Sequence, residues 1–262
     1  RQVVSPLALL SLVLAISTLL ALSGCSSFLD YGADFVEKLF GDVAELGPSE
    51  LMMEGEESMA EGRFRAAAEA FQQVKDKYPY SPYALRAELK MADALFMQGQ
   101  YNTAYEAYDE FERLHPRDEN IPYVIFRKGD CHLEQVETID RDQTHTTEAK
   151  AEYERLIKRF PNHAYAKTAR IKIRKCLIFL SEYELYVGHF YFHNEQYKAA
   201  MGRYKYIIEH YPDMGQYHEA MEYIKICREM LAEQKAQHEA EEAEKAAEEA
   251  REQNEAAKDN EP

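Results

Sequence analysis

The sequence places a nucleophile beside a base at Asp130-Cys131-His132. A thiolate activated by an imidazole is one arrangement for covalent catalysis. The surrounding pattern predicts a helix, however, and adjacent residues of a helix point about 100° apart, so this thiol and this imidazole do not meet. No further side chain is placed to orient the imidazole, the nine histidines lack HExxH-type spacing, and no phosphate-binding loop occurs. The sequence therefore predicts neither catalytic residues nor a metal site.

A second cysteine, Cys25, suggests a different chemistry because it closes the one long apolar run. Residues 7–22 carry no charge and follow Arg1. The run is too short for a transmembrane helix, which needs about twenty residues, but it is typical of a secretory signal peptide. Its end, LSGC at residues 22–25, resembles the bacterial lipobox. The small residues fit the signal peptidase, and the thiol of Cys25 attacks the lipid donor.

We therefore expect a lipoprotein signal peptide over residues 1–24 and a lipid-anchored tether over residues 25–46. The expected modification is an N-acyl and S-diacylglycerol lipid on Cys25, and no cofactor is expected. Two or three acyl chains hold a protein firmly on a membrane, where one does not. The alternative is an ordinary signal peptide followed by a chance cysteine. Because Asp at the next position often marks inner-membrane retention, Ser26 favours the outer membrane and its periplasmic face.

The charge balance excludes one class of partner. Acidic residues outnumber basic ones by 47 to 31, giving a net charge of -16 over 262 residues. Nucleic-acid binding needs a basic surface, so we expect no nucleic-acid partner. Three cysteines follow Cys25, namely Cys131, Cys176 and Cys227, and none has the paired spacing of a zinc or haem site. We interpret them as buried side chains, and their disulfide state stays open.

A repeat organises the middle of the chain. Three segments, at residues 51–64, 88–101 and 125–138, begin 37 residues apart, and a second segment ending in proline follows each of them. A fourth such segment ends at Pro212. The small residues at the middle of the first helices allow close approach of the large aromatic residues of the second helices. The small residues are Gly55, Ala92, Gly129 and Gly188, and the aromatic residues are Phe71, Tyr108, Tyr153 and Tyr204.

This pattern resembles the tetratricopeptide repeat, in which stacked helical hairpins bury faces that one hairpin cannot bury alone. We predict an all-α fold, a tetratricopeptide-repeat solenoid of about four to five hairpins over residues 47–231, with a long C-terminal helix. Residues 164–193 read as one continuous helix. Residues 232–262 are rich in Ala and Glu, with no apolar stripe, so they form either a solvated helix or a disordered tail.

In stacked hairpins the first helices line one face, which predicts an apolar trough with one carboxylate per repeat. Such a trough suits an extended peptide. The alternative is that these side chains face inward and merely pack. The predicted exposed residues are Met52, Glu56, Met59, Leu89, Asp93, Phe96, Met97, Tyr123, Phe126, Asp130 and Leu133.

Four stretches together resemble the BamD (ComL) family of outer membrane assembly lipoproteins. They are YPYSPYALRAEL (78–89), FERLHPRDENIPYVIFRKG (111–129), RDQT (141–144) and LSEYELYVGHFYFHNEQYKAAMGRYKYIIEHYPD (180–213). The resemblance covers roughly residues 47–230. The fifth hairpin departs from it because its first helix is never followed by a turn, and the acidic tail is extra.

The resemblance implies a role beside BamA, which folds and inserts β-barrel proteins, and beside the other lipoproteins of the BAM machinery. The first repeats would receive an unfolded outer membrane protein, and the later repeats would dock on a periplasmic domain of BamA. Arg203 stands where the family carries an arginine that supports this coupling, although Glu184 or Glu195 offers it an internal partner instead. Tyr80 and Tyr83 flank Pro82 at the corner between the first two repeats. They either contact the bound peptide or pack within this corner. Because a fold does not set its partner, the alternative function is a lipid-anchored periplasmic scaffold for a cell-wall or division complex.

Overall fold

A computed structural model describes residues 45–258, and side chains up to residue 251. The chain divides into two compact units, Arg1–Glu50 and Leu51–Pro262. Of the first unit only residues 45–50 are described, where the Gly47 amide donates to Glu50 Oε2 at 2.6 Å.

Residues 45–258 form nine helices and no strand. The helices are α1 Pro48–Ala60, α2 Phe64–Lys77, α3 Ala84–Met97, α4 Tyr101–Leu114, α5 Ile121–Leu133, α6 Thr144–Arg159, α7 Ala164–His193, α8 Tyr197–His210 and α9 Tyr217–Lys258. From α2 onward each helix packs against the next in sequence. The all-α tetratricopeptide-repeat prediction is therefore confirmed.

Proline ends the second helix of each hairpin, as the sequence predicts. The residues directly before Pro79, Pro116, Pro161 and Pro212 are the C-caps of α2, α4, α6 and α8. Each has left the helical region, with φ between -134° and -125° and ψ between 46° and 61°. The proline ring excludes the helical conformation from the residue that precedes it, so the helix stops there.

A left-handed residue ends the first helix of three hairpins. Gly62 and Gly99 have φ of +75° and +77°, a conformation that glycine adopts readily at the end of a helix. The equivalent position after α7 is occupied by Glu195, with φ of 59°. Glu195 therefore adopts a backbone conformation that costs an L-residue more than it costs glycine.

The core consists of three clusters of buried side chains that follow one another along the chain. The first lies around Phe71 and Val74, the second around Tyr108 and Tyr153, and the third around Tyr204. Burying an aromatic ring of this size contributes roughly 2–3 kcal/mol, so these rings dominate the packing.

The 30-residue helix α7 is long enough to contribute to two of these clusters. Its first half contributes Ala169 and Cys176 to the second cluster, and its second half packs Leu185 and Phe192 against the third. One continuous helix thereby joins the third and fourth hairpins. The acidic tail continues α9 as a helix, and its described side chains beyond Leu231 are all exposed. Of the two alternatives for the tail, the described part is therefore a solvated helix.

Candidate functional site

Several residues predicted to be exposed in the trough are instead buried. Met52 is 4% exposed, Phe126 is 8% exposed and Asp130 is 5% exposed, and Leu133 is buried with them. The prediction of exposure is wrong at these four positions. A period of 37 residues fixes the repeat but not the rotation of each helix, and these side chains face the neighbouring helices.

The carboxylates of the second and third hairpins hold the hairpins together. Asp93 Oδ1 accepts hydrogen bonds from Tyr108 Oη at 2.7 Å and from Tyr123 Oη at 2.6 Å. Asp130 Oδ1 accepts from Tyr153 Oη at 2.7 Å. Burial, reinforced by the adjacent carboxylate, raises the pKa of Tyr108 and of Tyr153 far above the ordinary value, so both hydroxyls remain donors. Asp93 and Asp130 are therefore occupied by internal partners.

The first hairpin lacks this hydrogen bond because its aromatic residue, Phe71, has no hydroxyl. Glu56, which occupies the equivalent carboxylate position, pairs with Arg86 of the next hairpin, with Oε1 and Nη2 2.5 Å apart. Both side chains are partly exposed, so this ion pair lies at the surface and contributes little to stability.

The remaining trough residues differ in how far they reach the surface. The guanidinium of Arg127 covers the Phe96 ring, 3.6 Å from its centroid. Met59 packs against the first core cluster, whereas Met97 is half exposed. Among the other trough residues, Glu56, Leu89, Asp93 and Tyr123 are partly exposed.

A groove of about 680 Å³ lies between α3 and α5. Three residues predicted for the trough, Leu89, Asp93 and Tyr123, line this groove. The groove also has lining residues that the sequence did not predict, and these are Pro82, Leu85, Arg86, Lys90, Asp118, Glu119, Asn120, His163 and Tyr165. The spacing of Leu85 and Leu89, four residues apart on one helix face, was the available signal.

Tyr80 and Tyr83 lie at the corner that leads into this groove. Tyr80 is 100% exposed, so packing at the corner does not account for it. Tyr83 precedes α3 and is only partly exposed, at 37%. Of the two alternatives left open by the sequence, the structure leaves Tyr80 free for contact with a ligand.

Arg203 lies on α8, far along the chain from the groove. Its Nη1 lies 3.0 Å from Glu184 Oε2 on α7, so Glu184 is the internal partner that the sequence analysis considered. The hydrogen bond to Glu184 raises the pKa of Arg203 above its usual value. The Arg203 side chain remains 42% exposed, so part of the guanidinium faces solvent.

The three cysteines of the described residues are free and buried. Burial raises the pKa of Cys131 to about 12 and that of Cys176 to about 11, and it also raises the pKa of Cys227. At neutral pH these groups are thiols, which are poor nucleophiles. Cys25 and the signal peptide predicted before it lie outside the described residues. Within residues 45–258, no helix is both long and apolar enough to cross a membrane.

Comparison with known proteins gives a consistent set of similarities. The family model described as "YfiO: Outer membrane lipoprotein" matches residues 44–243. A Caulobacter vibrioides protein named outer membrane protein assembly factor BamD is 33% identical over 180 residues, which are 68% of this chain and 59% of that protein. The chain thus aligns with less than two thirds of this relative.

Two further relatives carry the same name. The Vibrio cholerae protein is 28% identical over 76% of this chain and 83% of its own length. The Rickettsia prowazekii protein is 30% identical over 78% of this chain and 76% of its own length. Among solved structures, the TPR2AB domain of yeast Sti1 covers 70% of each chain at 14% identity and a TM-score of 0.41.

Proposed function

Because the chain belongs to the YfiO family of outer membrane lipoproteins, we propose that it is a non-enzymatic component of the machinery that assembles β-barrel proteins in the outer membrane. In this proposal a lipid on Cys25 holds the protein on the periplasmic face. The hairpins that precede α7 bind segments of unfolded outer membrane proteins. The surface around Arg203 binds the periplasmic domain of BamA, alongside the other lipoproteins of the machinery.

The groove between α3 and α5 carries the client-binding part of the proposal. Its lining includes the apolar side chains of Leu85 and Leu89 and the charged side chains of Arg86, Lys90 and Glu119. A strand of a β-barrel alternates apolar and polar side chains, and such a segment places its apolar side chains on the leucines and its polar groups near the charged residues.

The dimensions of the groove set the length of the segment. The lining residues on α3, from Leu85 to Asp93, span about 12 Å at the rise of an α-helix, which matches about four residues of extended chain. Tyr80 is wholly exposed and lies two residues before Pro82, so it offers a further aromatic side chain near one end of this stretch. We therefore assign a short extended segment, rather than a folded domain, to this groove.

The experiment compares two exposed leucines. Leu85 lies in the groove, whereas Leu114, at the end of α4 and 48% exposed, lies outside it. Leu85→Asp removes an apolar contact of about 1.5–3 kcal/mol, so the affinity for a peptide from an unfolded outer membrane β-barrel protein is expected to fall about tenfold or more. Leu114→Asp serves as the control and leaves the affinity unchanged.

Equal affinity of both variants and the parent protein would reject the groove as the client site. Photo-crosslinking from position 85 provides an independent measurement, because it reports the contact directly. Depletion of the protein in cells separates the two functions: loss of outer membrane barrels supports assembly, whereas normal barrels with altered septa or cell wall support the scaffold alternative.

A further inference from the structure

Two histidines and a glutamate converge where the third hairpin opens. His132 lies in the last turn of α5, and His145 and Glu148 lie in the first turns of α6. The two Nδ1 atoms are 3.3 Å apart, and Glu148 Oε2 lies 3.1 Å from Nδ1 of His132 and 3.9 Å from Nδ1 of His145. Three potential ligand atoms from two helices therefore face one small space.

Protons alone satisfy these three atoms poorly. A neutral imidazole has one N–H and one lone pair, and a carboxylate has only acceptors. A single proton on His132 Nδ1 can be shared by the two closer contacts, at 3.3 and 3.1 Å, but it leaves the lone pairs of His145 Nδ1 and Glu148 Oε2 facing each other at 3.9 Å. A single cation between His132, His145 and Glu148 removes this conflict because it accepts electron density from all three.

The distances fit a transition-metal ion. Three atoms separated by 3.3, 3.1 and 3.9 Å share a point about 2.0 Å from each of them, which is the Zn–N and Zn–O distance in proteins. Two imidazoles and one carboxylate are also a common donor set for such ions. The ligand types and two of the three separations, 3.3 and 3.1 Å, thus match such an ion.

The surroundings leave room for a fourth ligand. A cavity of about 300 Å³ adjoins His132 and Glu148, with Tyr105 packed on the imidazole of His132 at a centroid distance of 4.7 Å. Arg155 also borders this cavity, but its charge is matched by Glu152 at 2.5 Å. A water molecule in this cavity can supply the fourth ligand. Tetrahedral angles at a bond length of about 2.0 Å then require the separation between His145 Nδ1 and Glu148 Oε2 to shorten from 3.9 Å to about 3.3 Å through side-chain rotation.

We propose that His132, His145 and Glu148 bind a divalent first-row transition-metal ion such as Zn²⁺. The ion joins the end of α5 to the start of α6 across the polar connection of residues 134–143. It thereby closes this connection and stabilises the third hairpin, independently of any client or partner protein.

The sequence predicts no metal site because its histidines lack HExxH-type spacing on any single helix. The pair His145 and Glu148, three residues apart, was one available signal, since residues at this spacing share a helix face. His132 joins them only because α5 and α6 form a hairpin, and that contact is visible only in three dimensions.

The test measures Zn²⁺ binding by isothermal titration calorimetry on the full chain after treatment with a chelator. We expect one equivalent to bind and the midpoint of thermal unfolding to rise by about 5 °C at a hundredfold excess over the dissociation constant. His145→Gln is expected to weaken binding at least about tenfold. His218→Gln, which changes an exposed histidine of α9, is the matched control and binds as the parent protein does.

Glu148→Gln provides a second variant on an exposed side chain, in case the first one perturbs folding. The absorption spectrum of the Co²⁺-loaded protein identifies the donors, because thiolate ligation adds charge-transfer bands that imidazole and carboxylate lack. Absence of binding, equal binding by both variants and the parent, or a thiolate spectrum would each overturn the proposal.

Discussion

Tyr153 donates a hydrogen bond through Oη to Asp130 Oδ1 at 2.7 Å, and this contact closes the third hairpin from the inside. The same arrangement occurs in the second hairpin between Tyr108 and Asp93. In the fourth hairpin a histidine replaces the carboxylate, with His189 Nδ1 2.9 Å from Tyr204 Oη. In these three hairpins, the polar residue that follows the small residue of the first helix thus forms a hydrogen bond with the tyrosine of the second helix.

Removing the Tyr153 hydroxyl tests the contribution of this contact. Tyr153→Phe leaves Asp130 with Arg127 and Lys172 as neighbours but without its shortest hydrogen bond. We expect the free energy of unfolding to fall by about 1–2 kcal/mol, measured by urea denaturation. Tyr186→Phe, at a largely exposed ring, is the control, with an expected change below about 0.5 kcal/mol. Equal effects of the two variants would contradict this assignment.

The glycine beside Asp130 makes the approach of the ring possible. A Cβ at Gly129 would lie 2.5 Å from Tyr153 Cε1, closer than real atoms approach. Gly129→Ala is therefore expected to lower the free energy of unfolding by about 1–3 kcal/mol through overpacking.

The control for this variant is Gly202→Ala on α8, where the added Cβ meets no atom within 4 Å. Alanine is the better helix former, so this change is expected to stabilise by about 0.5–1 kcal/mol. Thermal unfolding monitored by circular dichroism measures both variants. A loss of stability at both positions would show that the close approach at Gly129 is not the cause.

The sequence predicted the hairpins well because their determinants are local. A small residue facing a large one, and a proline after the second helix, act through contacts within one repeat, as at Gly129 and Pro161. The candidate groove was predicted only in part, because it depends on how α3 and α5 are rotated against each other. That rotation buries Phe126 and brings Leu85 to the surface, although both are apolar residues of first helices.

The left-handed turn after α7 offers a stabilising substitution. Glu195 has φ of 59°, where Gly62 and Gly99 occupy the equivalent turns. Glu195→Gly removes the steric cost of a Cβ in this conformation, and we expect a gain of about 0.5–1 kcal/mol in the free energy of unfolding. Glu209→Gly, at an exposed position within α8, is expected to cost about 1 kcal/mol. A loss of stability in Glu195→Gly would contradict the expected relief of strain.

Arg203 has an internal partner, Glu184, and a solvent-facing part, so a single substitution does not separate its two possible roles. Arg203→Glu is expected to reduce co-purification of BamA about tenfold or more, because it reverses a charge at the proposed interface. The substitution also places two carboxylates side by side, because residue 203 contacts Glu184. Glu184 is mostly buried, so solvent screens their repulsion poorly. Lys205→Glu, an exposed charge reversal on the same helix, is the control and is expected to have little effect.

The double variant Arg203→Glu with Glu184→Arg resolves this ambiguity, because it restores the internal ion pair in the opposite orientation. If Arg203 contacts BamA directly, the double variant regains the stability of the parent protein but not the co-purification. If Arg203 acts only by holding Glu184, the double variant regains both. Urea denaturation and a pull-down from detergent-solubilised membranes measure the two quantities, and recovery of both would reject Arg203 as an interface residue.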